Sequence, residues 1–434
     1  MSAIAGRRSP SLLHSRDFLK LWTGQTISAF GTQITILAVP IVAALTLAVT
    51  PFEFGLLGTL EFLPFVLIGL PAGVWVDRLR RRPILIAGDI GRAVGLLSIP
   101  IAAALGVLTI WQLYVVVFLN GCLTVFFDVA YQSYLPSIVE PDQLVEGNAK
   151  LELTRTTSQR LGPGLAGLLI GILTAPFAIV VDAISYVASA LFLSRIGRSE
   201  PALASGHQAA AARPSMRREI ATGLRFVIGD RVLRALAASV ALGSLSGTIA
   251  DSMLILHLVT ERGVGPGLIG LAFTIGSMCV ITGAVVASRL TRIAGVGPVI
   301  VLSAIGESVS WLPVAFAPDT WLFAGLATTI VALSFFGALW NVNAMSLRQV
   351  ITPARMRGRM NATMRFISWG TIPVATTAGG LLGGAIGLHN TIVLGALGGI
   401  VVFVPVALSP LWHIRAMPDA VEDEVVVAAT PGEA

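Results

Sequence analysis

Two cysteines, two lysines, five histidines and a charged fraction of only 12% are all that 434 residues provide of the side chains most often used for cross-linking, phosphate capture and metal binding. Cys122 and Cys279 both lie inside apolar runs, so neither a disulfide framework nor a cysteine-built metal site is available. The lysines occur as Leu19-Lys20-Leu21 and Ala149-Lys150-Leu151. Neither belongs to the Gly-Lys-Ser/Thr turn with which a P-loop holds phosphates and magnesium, which excludes an ATP motor within this sequence. The histidines, among them His257, His389 and His413, lack metal-ligand spacing. No catalytic constellation clusters either, so no enzyme activity, metal or cofactor is expected. So little charge also leaves too little polar surface to cover a soluble globule of this length.

Apolar residues fill the gap: 55% of the chain is hydrophobic and its mean hydropathy is +0.84. A helix of roughly 20 apolar residues crosses a ~30 Å hydrocarbon layer. On that criterion about twelve spans are predicted, near 18–48, 54–76, 84–106, 112–135, 151–173, 176–197, 232–259, 267–290, 297–317, 320–345, 362–387 and 389–412. The opening RRSPSLLHSRDFLKLW has no small-residue cleavage site, so the first span is expected to insert and stay. The net charge of +6 does not point to nucleic acid, because the arginines cluster in short connections between spans. Alternate connections carry Arg78 to Arg82, Lys150, Arg195 to Arg234, Arg289 with Arg292, and Arg348 to Arg359, whereas the opposite ones contain only Arg262. Cationic loops resist translocation, which puts both termini in the cytoplasm of a bacterial-type inner membrane.

The organisation reads as residues 1–197, a linker 198–231, residues 232–415 and an acidic tail 416–434 with Glu422, Asp423 and Glu424. Late in the linker, MRREIATGLRFVIGDRVLRAL suits either a helix lying on an anionic leaflet or a solvated basic connection. The halves match each other at a shift of about 210 residues, the mark of a repeat. Gly55-Leu-Leu-Gly58 corresponds to Gly267-Leu-Ile-Gly270, Arg78-Leu79 to Arg289-Leu290, and Arg155 with Pro163 to Arg365 with Pro373.

GVWVDRLRRR resembles the loop motif Gly-x-x-x-Asp-Arg-x-Gly-Arg-Arg of the major facilitator superfamily, with Gly73, Asp77, Arg78, Arg81 and Arg82 matching and Arg80 in place of a glycine. Phe126–Gly167 and Arg357–Val374 are similar to the drug-exporting branch that includes macrolide and siderophore exporters. The resemblance covers roughly residues 17–412. It implies an all-α integral membrane protein of two six-helix bundles around a central cavity, with alternating access and usually proton-coupled export. It also implies that the loop motif is a latch at the cytoplasmic gate. Physically, Gly73 permits close helix packing, and Asp77 can accept hydrogen bonds from a neighbouring helix N-terminus. A topological role for the arginines is the alternative. The segment around Gly162, Pro163 and Gly167 resembles the superfamily's antiporter motif, a glycine-proline kink; ordinary helix packing explains it equally.

Polar periodicity marks a candidate cavity independently. Gln25, Ser28, Thr32 and Thr35 recur at helical spacing in the first span, as do Asn120, Thr124, Asp128 and Tyr131 in the fourth. Ser244, Thr248 and Asp251 follow in the seventh, and Ser334 and Asn341 in the tenth. Such stripes must turn toward water or another helix. An ionised carboxylate at the bilayer centre costs at least ~2.5 kcal/mol, so the intramembrane acids Glu61, Asp89, Asp128, Asp182, Asp251 and Glu307 need reasons. Asp89 has Arg92 three residues away and reads as a structural pair. Asp182 and Glu307 read as hydrogen-bonded structural groups. For Asp128, an ion-pair gate with Arg155 or Arg160 and direct substrate or proton binding both stay open. Glu61 and Asp251 lack a local cation and are the leading proton-coupling candidates. The expectation is a monomeric secondary exporter of an amphipathic small molecule, driven by protons. A siderophore-type exporter, a metabolite facilitator or importer, and a channel are the alternatives.

Overall fold

The computed structural model describes residues 12–76, 78–198, 200 and 216–418. Among them there are helices and no strands. The helices are α1 (Arg16–Ile41), α2 (Pro51–Val76), α3 (Arg81–Ala104), α4 (Ile110–Ile138), α5 (Leu144–Leu173), α6 (Ala175–Ser194), α7 (Met216–Gly229) and α8 (Arg231–Leu256). They continue with α9 (Pro266–Ala294), α10 (Val296–Val309), α11 (Leu312–Phe316), α12 (Leu322–Ile351), α13 (Ala354–Ile386), α14 (Leu388–Gly399) and α15 (Val404–Ala407). Local chemistry sets their ends. The side chains of Ser15, Thr109 and Asp230 accept backbone N–H bonds at the starts of α1, α4 and α8. Gly295 (φ +92) and Gly387 (φ +88) turn the chain in single-residue joints after α9 and α13, where a Cβ is disfavoured.

Among the described residues, ten segments are long and apolar enough to cross a membrane. The two candidates that fall outside this set are α5 and α13, of 30 and 33 residues. Both have polar first halves, with Glu146, Lys150, Glu152 and Arg155 in one, followed by Arg160 just past its middle, and Arg355, Arg357, Arg359 and Arg365 in the other. The expected twelve spans therefore appear as ten by apolarity, and charge near the ends of α5 and α13 is the reason.

Helices α1–α6 pack chiefly on one another, as do α8–α15, which gives two bundles. The amphipathic α7 packs on α13 and α8 through Gly223 and the buried Val227, leaving Leu224, Arg225 and Ile228 exposed. The bundles touch along two seams, α2 on α13 and α5 on α9. Glycines make both approaches possible. A Cβ on Gly55 would sit 2.7 Å from the Gly380 Cα, and one on Gly270 3.0 Å from the Gly167 Cα. Since α2 and α9 correspond in the repeat, as do α5 and α13, these are equivalent contacts of a duplicated unit.

The seams close only one end. At the end away from the arginine cluster, a single buried apolar cluster joins both halves, from Ile34, Ile41 and Phe54 to Met253, Ile269 and Leu326. At the basic end the core separates by bundle, with one main cluster in each and a small third one of Ala287, Val299 and Leu339 in the second. The main cluster of the first bundle holds Phe18, Leu85, Tyr134 and Leu193, and that of the second Leu233, Ile300, Leu347 and Leu411. The bundles are thus fused at the far end and separate at the basic end.

Candidate functional site

A cavity of about 750 Å³ opens between α8, α10, α12 and α13. Its lining includes Thr248, Asp251 and Asn341, three residues expected from polar spacing. It also includes Glu307, Trp340, Arg348, Arg365 and Trp369. Glu307, expected as a structural hydrogen-bonded group, instead faces this cavity alongside Asp251. The reason is helix rotation: α10 packs on α12 and turns Glu307 toward Gly337, 3.6 Å from where that glycine's Cβ would sit. Arg365 lies over the Trp369 ring at 4.3 Å, and Trp369 meets Phe65 of α2 edge-on at 5.2 Å. Arg348 donates from Nε to the Ala344 carbonyl at 3.2 Å. A periodicity signal for these residues existed, since Asn361, Arg365 and Trp369 recur every fourth position and Asn341, Met345 and Arg348 share one helical face.

The stripe on α1 takes the other route open to it and turns to a helix. Gln25 donates to Ser189 at 3.4 Å, Ser28 is buried, Thr32 and Tyr186 share a 3.0 Å hydrogen bond, and Thr35 donates to Asp182. All of these partners belong to α6. Asp182 also accepts from Ser185 at 3.0 Å, in keeping with a structural hydrogen-bonded acid. On α4, Thr124, Asp128 and Tyr131 are half-buried, and Tyr131 stacks on Phe127 with centroids 6.0 Å apart. The ion pairs suggested for Asp128 are not formed. Arg155 pairs with Glu152 at 2.6 Å, one turn away on α5, and no described ion pair involves Arg160. The cations whose fields act on Asp128 are Arg92 of its own bundle and Arg365 of the other.

Arg92 is the electrostatic centre of the first bundle. It is buried, pairs with Asp89 at 2.6 Å and lies 4.2 Å from the ring centres of both Phe127 and Tyr186. Glu61 on α2 is half-buried and forms no ion pair among the described residues.

At the basic end, Asp77 lies outside the described residues. Among those that are described, nothing comes within 4 Å of a Cβ built on Gly73, so this glycine makes no close helix contact here. Arg78 is exposed. The backbone N–H groups of Arg81 and Arg82, at the start of α3, bind the Glu200 carboxylate at 2.9 and 2.6 Å. The Arg82 side chain donates to the Leu193 carbonyl at 3.0 Å and to that of Ser194, tying α3 to the end of α6. A helix N-terminus does attract an anion here, and that anion is Glu200. Helix α5 runs unbroken through Pro163. Gly162 faces Gln33 of α1, Gly167 faces α9, and Ser277 donates to the Arg160 carbonyl at 2.8 Å.

Two helical bundles meeting along duplicated seams, with a polar cavity inside a membrane-spanning core, define a transporter of the major facilitator type. The chain belongs to the transmembrane secretion effector family, whose sequence profile matches residues 9–427. It is 26% identical over 382 residues to the MFS-type transporter YfiS of Bacillus subtilis, covering 86% of each chain. It is also 26% identical over 360 residues to the multidrug efflux pump Tap of Mycolicibacterium fortuitum, covering 79% of this chain and 85% of that one. Among solved structures, a bacterial homologue of the iron transporter ferroportin in its inward-facing state superposes with a TM-score of 0.71 at 17% identity, over 92% of this chain and 99% of that one. At that identity the likeness concerns the fold alone.

Proposed function

We propose that this protein exports amphipathic small molecules from the cytoplasm by alternating access, as a monomer in a bacterial-type inner membrane, with proton entry driving the cycle. The observation that carries the reading is the asymmetry of the core: one apolar cluster fuses both bundles at the far end, no cluster of described residues joins them at the basic end, and the second bundle lines a polar cavity. With the basic end in the cytoplasm by the positive-inside rule, this is a cytoplasm-open conformation. Breaking the glycine seams and closing the basic end would expose the same cavity to the other side. The likeness to an efflux pump supports the outward direction.

Coupling falls to Glu61 and Asp251, one in each bundle. A carboxylate that meets water in one state and a drier environment in the other changes its proton affinity between the two, which is what exchange of a proton for a substrate requires. Inverted membrane vesicles with an acidified lumen, so that protons run outward, and a fluorescent amphipathic dye added outside test the reading. Uptake should stop when a protonophore collapses the gradient and should not require ATP. Continued uphill uptake after collapse removes proton antiport, and equilibration without accumulation identifies a facilitator.

A further inference from the structure

We infer that the cavity selects amphipathic substrates by a carboxylate, gripped between Arg348 and Arg365. The inference rests on reading this cavity as the substrate site. Both guanidinium groups line it, and neither forms an ion pair with a described carboxylate. Arginine inside a membrane-spanning core costs at least ~2.5 kcal/mol, so one kept without a partner needs water or a counter-charge that comes and goes. Arg348 spends one N–H on the Ala344 carbonyl. Arg365 lies over an indole, an arrangement that leaves the in-plane N–H fork free for a planar carboxylate.

The cavity is also polarised along its depth. Arg348 stands in the last turn of α12, at the basic end. Glu307 stands in the last turn of α10, and Asp251 in the far-end half of α8, so the acids lie deeper. Trp340, Met345, Met364 and Trp369 supply an apolar wall. A molecule matching this order has an acidic group near the mouth, a ring system against the tryptophans and a basic group toward Asp251 and Glu307. The substrate class is therefore a zwitterionic amphipath, not a simple lipophilic cation.

Rhodamine 110 and its methyl ester, rhodamine 123, differ in whether one carboxylate is free. Binding of each to the purified full-length protein in detergent, read by fluorescence anisotropy, should favour the free acid by about tenfold. Arg348→Gln and Arg365→Gln should each remove most of that preference by weakening binding of the free acid and not of the cationic ester, whose binding gains from loss of a like charge, with thermal unfolding measured to confirm that the variants are folded. Equal affinities in the wild-type protein, tighter binding of the ester, or binding of neither dye overturns the inference without any variant. Uptake into inverted vesicles is scored separately. A preference in binding without energised uptake keeps the carboxylate site and removes the exporter reading; energised uptake of both dyes without a preference does the reverse.

Discussion

The two bundles follow one duplicated plan, and both hold unpaired intramembrane acids, Glu61 and Asp128 in the first among them, but among the described residues only the first has a buried ion pair. In the first, Arg92 is paired with Asp89 and sandwiched between two aromatic rings, and Asp182 is held by Thr35 and Ser185. In the second, Asp251, Glu307, Arg348 and Arg365 border a cavity, and none of them forms an ion pair among the described residues. A buried ion pair clamped by aromatic rings rigidifies its surroundings, even though Arg92 Nε and one Asp89 oxygen lack a hydrogen bond, while unpaired groups beside a water-accessible space stay available to ligands and protons. The difference suggests a division of labour: one bundle as frame, the other as the changeable wall of the site.

The largest effect should come from breaking the frame. Arg92→Met leaves Asp89 as an uncompensated buried charge, which costs about 3–5 kcal/mol. Thermal unfolding in detergent should show a large loss, with low abundance in cells. Arg365→Gln, made in the open bundle, should stay within about 1 kcal/mol of wild type. Similar losses in both variants would erase the proposed contrast.

Coupling comes next. Glu61→Gln and Asp251→Asn should each bind dye but respond about tenfold less to an imposed proton gradient, a change of about 1.4 kcal/mol in driving efficiency. The measurement is vesicle uptake at several external pH values together with dye binding. If both variants still concentrate substrate in response to the gradient, neither acid is the coupling group, and Asp128 is the next to test.

Much of this architecture could be read from the residues. The spans, the duplication and the one-sided arginines follow from hydropathy, spacing and loop charge, because a bilayer imposes these on any chain that crosses it. What spacing could not decide was the rotation of each helix. The stripe Gln25, Ser28 and Thr32 has the period expected of a cavity wall and of a helix interface alike, and packing against Ser189, Tyr186 and Asp182 decided it. Glu307 went the other way, because its neighbours come from distant parts of the sequence. Arg348 reads as a loop charge, since nothing local shows that α12 extends far enough to carry it into the cavity wall, and Arg365, within the eleventh span, stands out only as the repeat partner of Arg155.

The helix joints extend the comparison to the backbone. Gly387 links α13 to α14 at φ +88, and the equivalent joint between α5 and α6 is Thr174 at φ +67. This region is nearly restricted to glycine and costs a side chain about 1–3 kcal/mol. Thr174→Gly should therefore raise stability by about 1 kcal/mol, part of the relief being offset by the freer unfolded chain. Gly387→Thr should lower it. Unchanged melting in both would mean that the joints relax and carry no strain.

The smallest expected effect concerns Asp77, the acid of the loop motif. If it forms the latch, it acts when the basic end closes and a helix N-terminus from the facing bundle comes within reach. Such a charge–dipole contact is worth about 0.3–1 kcal/mol at an exposed site, so Asp77→Asn should slow transport roughly two- to fivefold. Insertion and abundance should stay near normal, because Arg78, Arg81 and Arg82 still hold the loop on its side and Glu200 already satisfies the start of α3. The measurement is dye export together with the rate at which a thiol reagent from the basic end labels a cysteine introduced in the cavity wall by Ser244→Cys. Asp77→Asn should increase that labelling, since the closed state it supports becomes rarer. Normal export with unchanged labelling would reduce the motif to a topological signal, and closure of the basic end would then rest on packing alone.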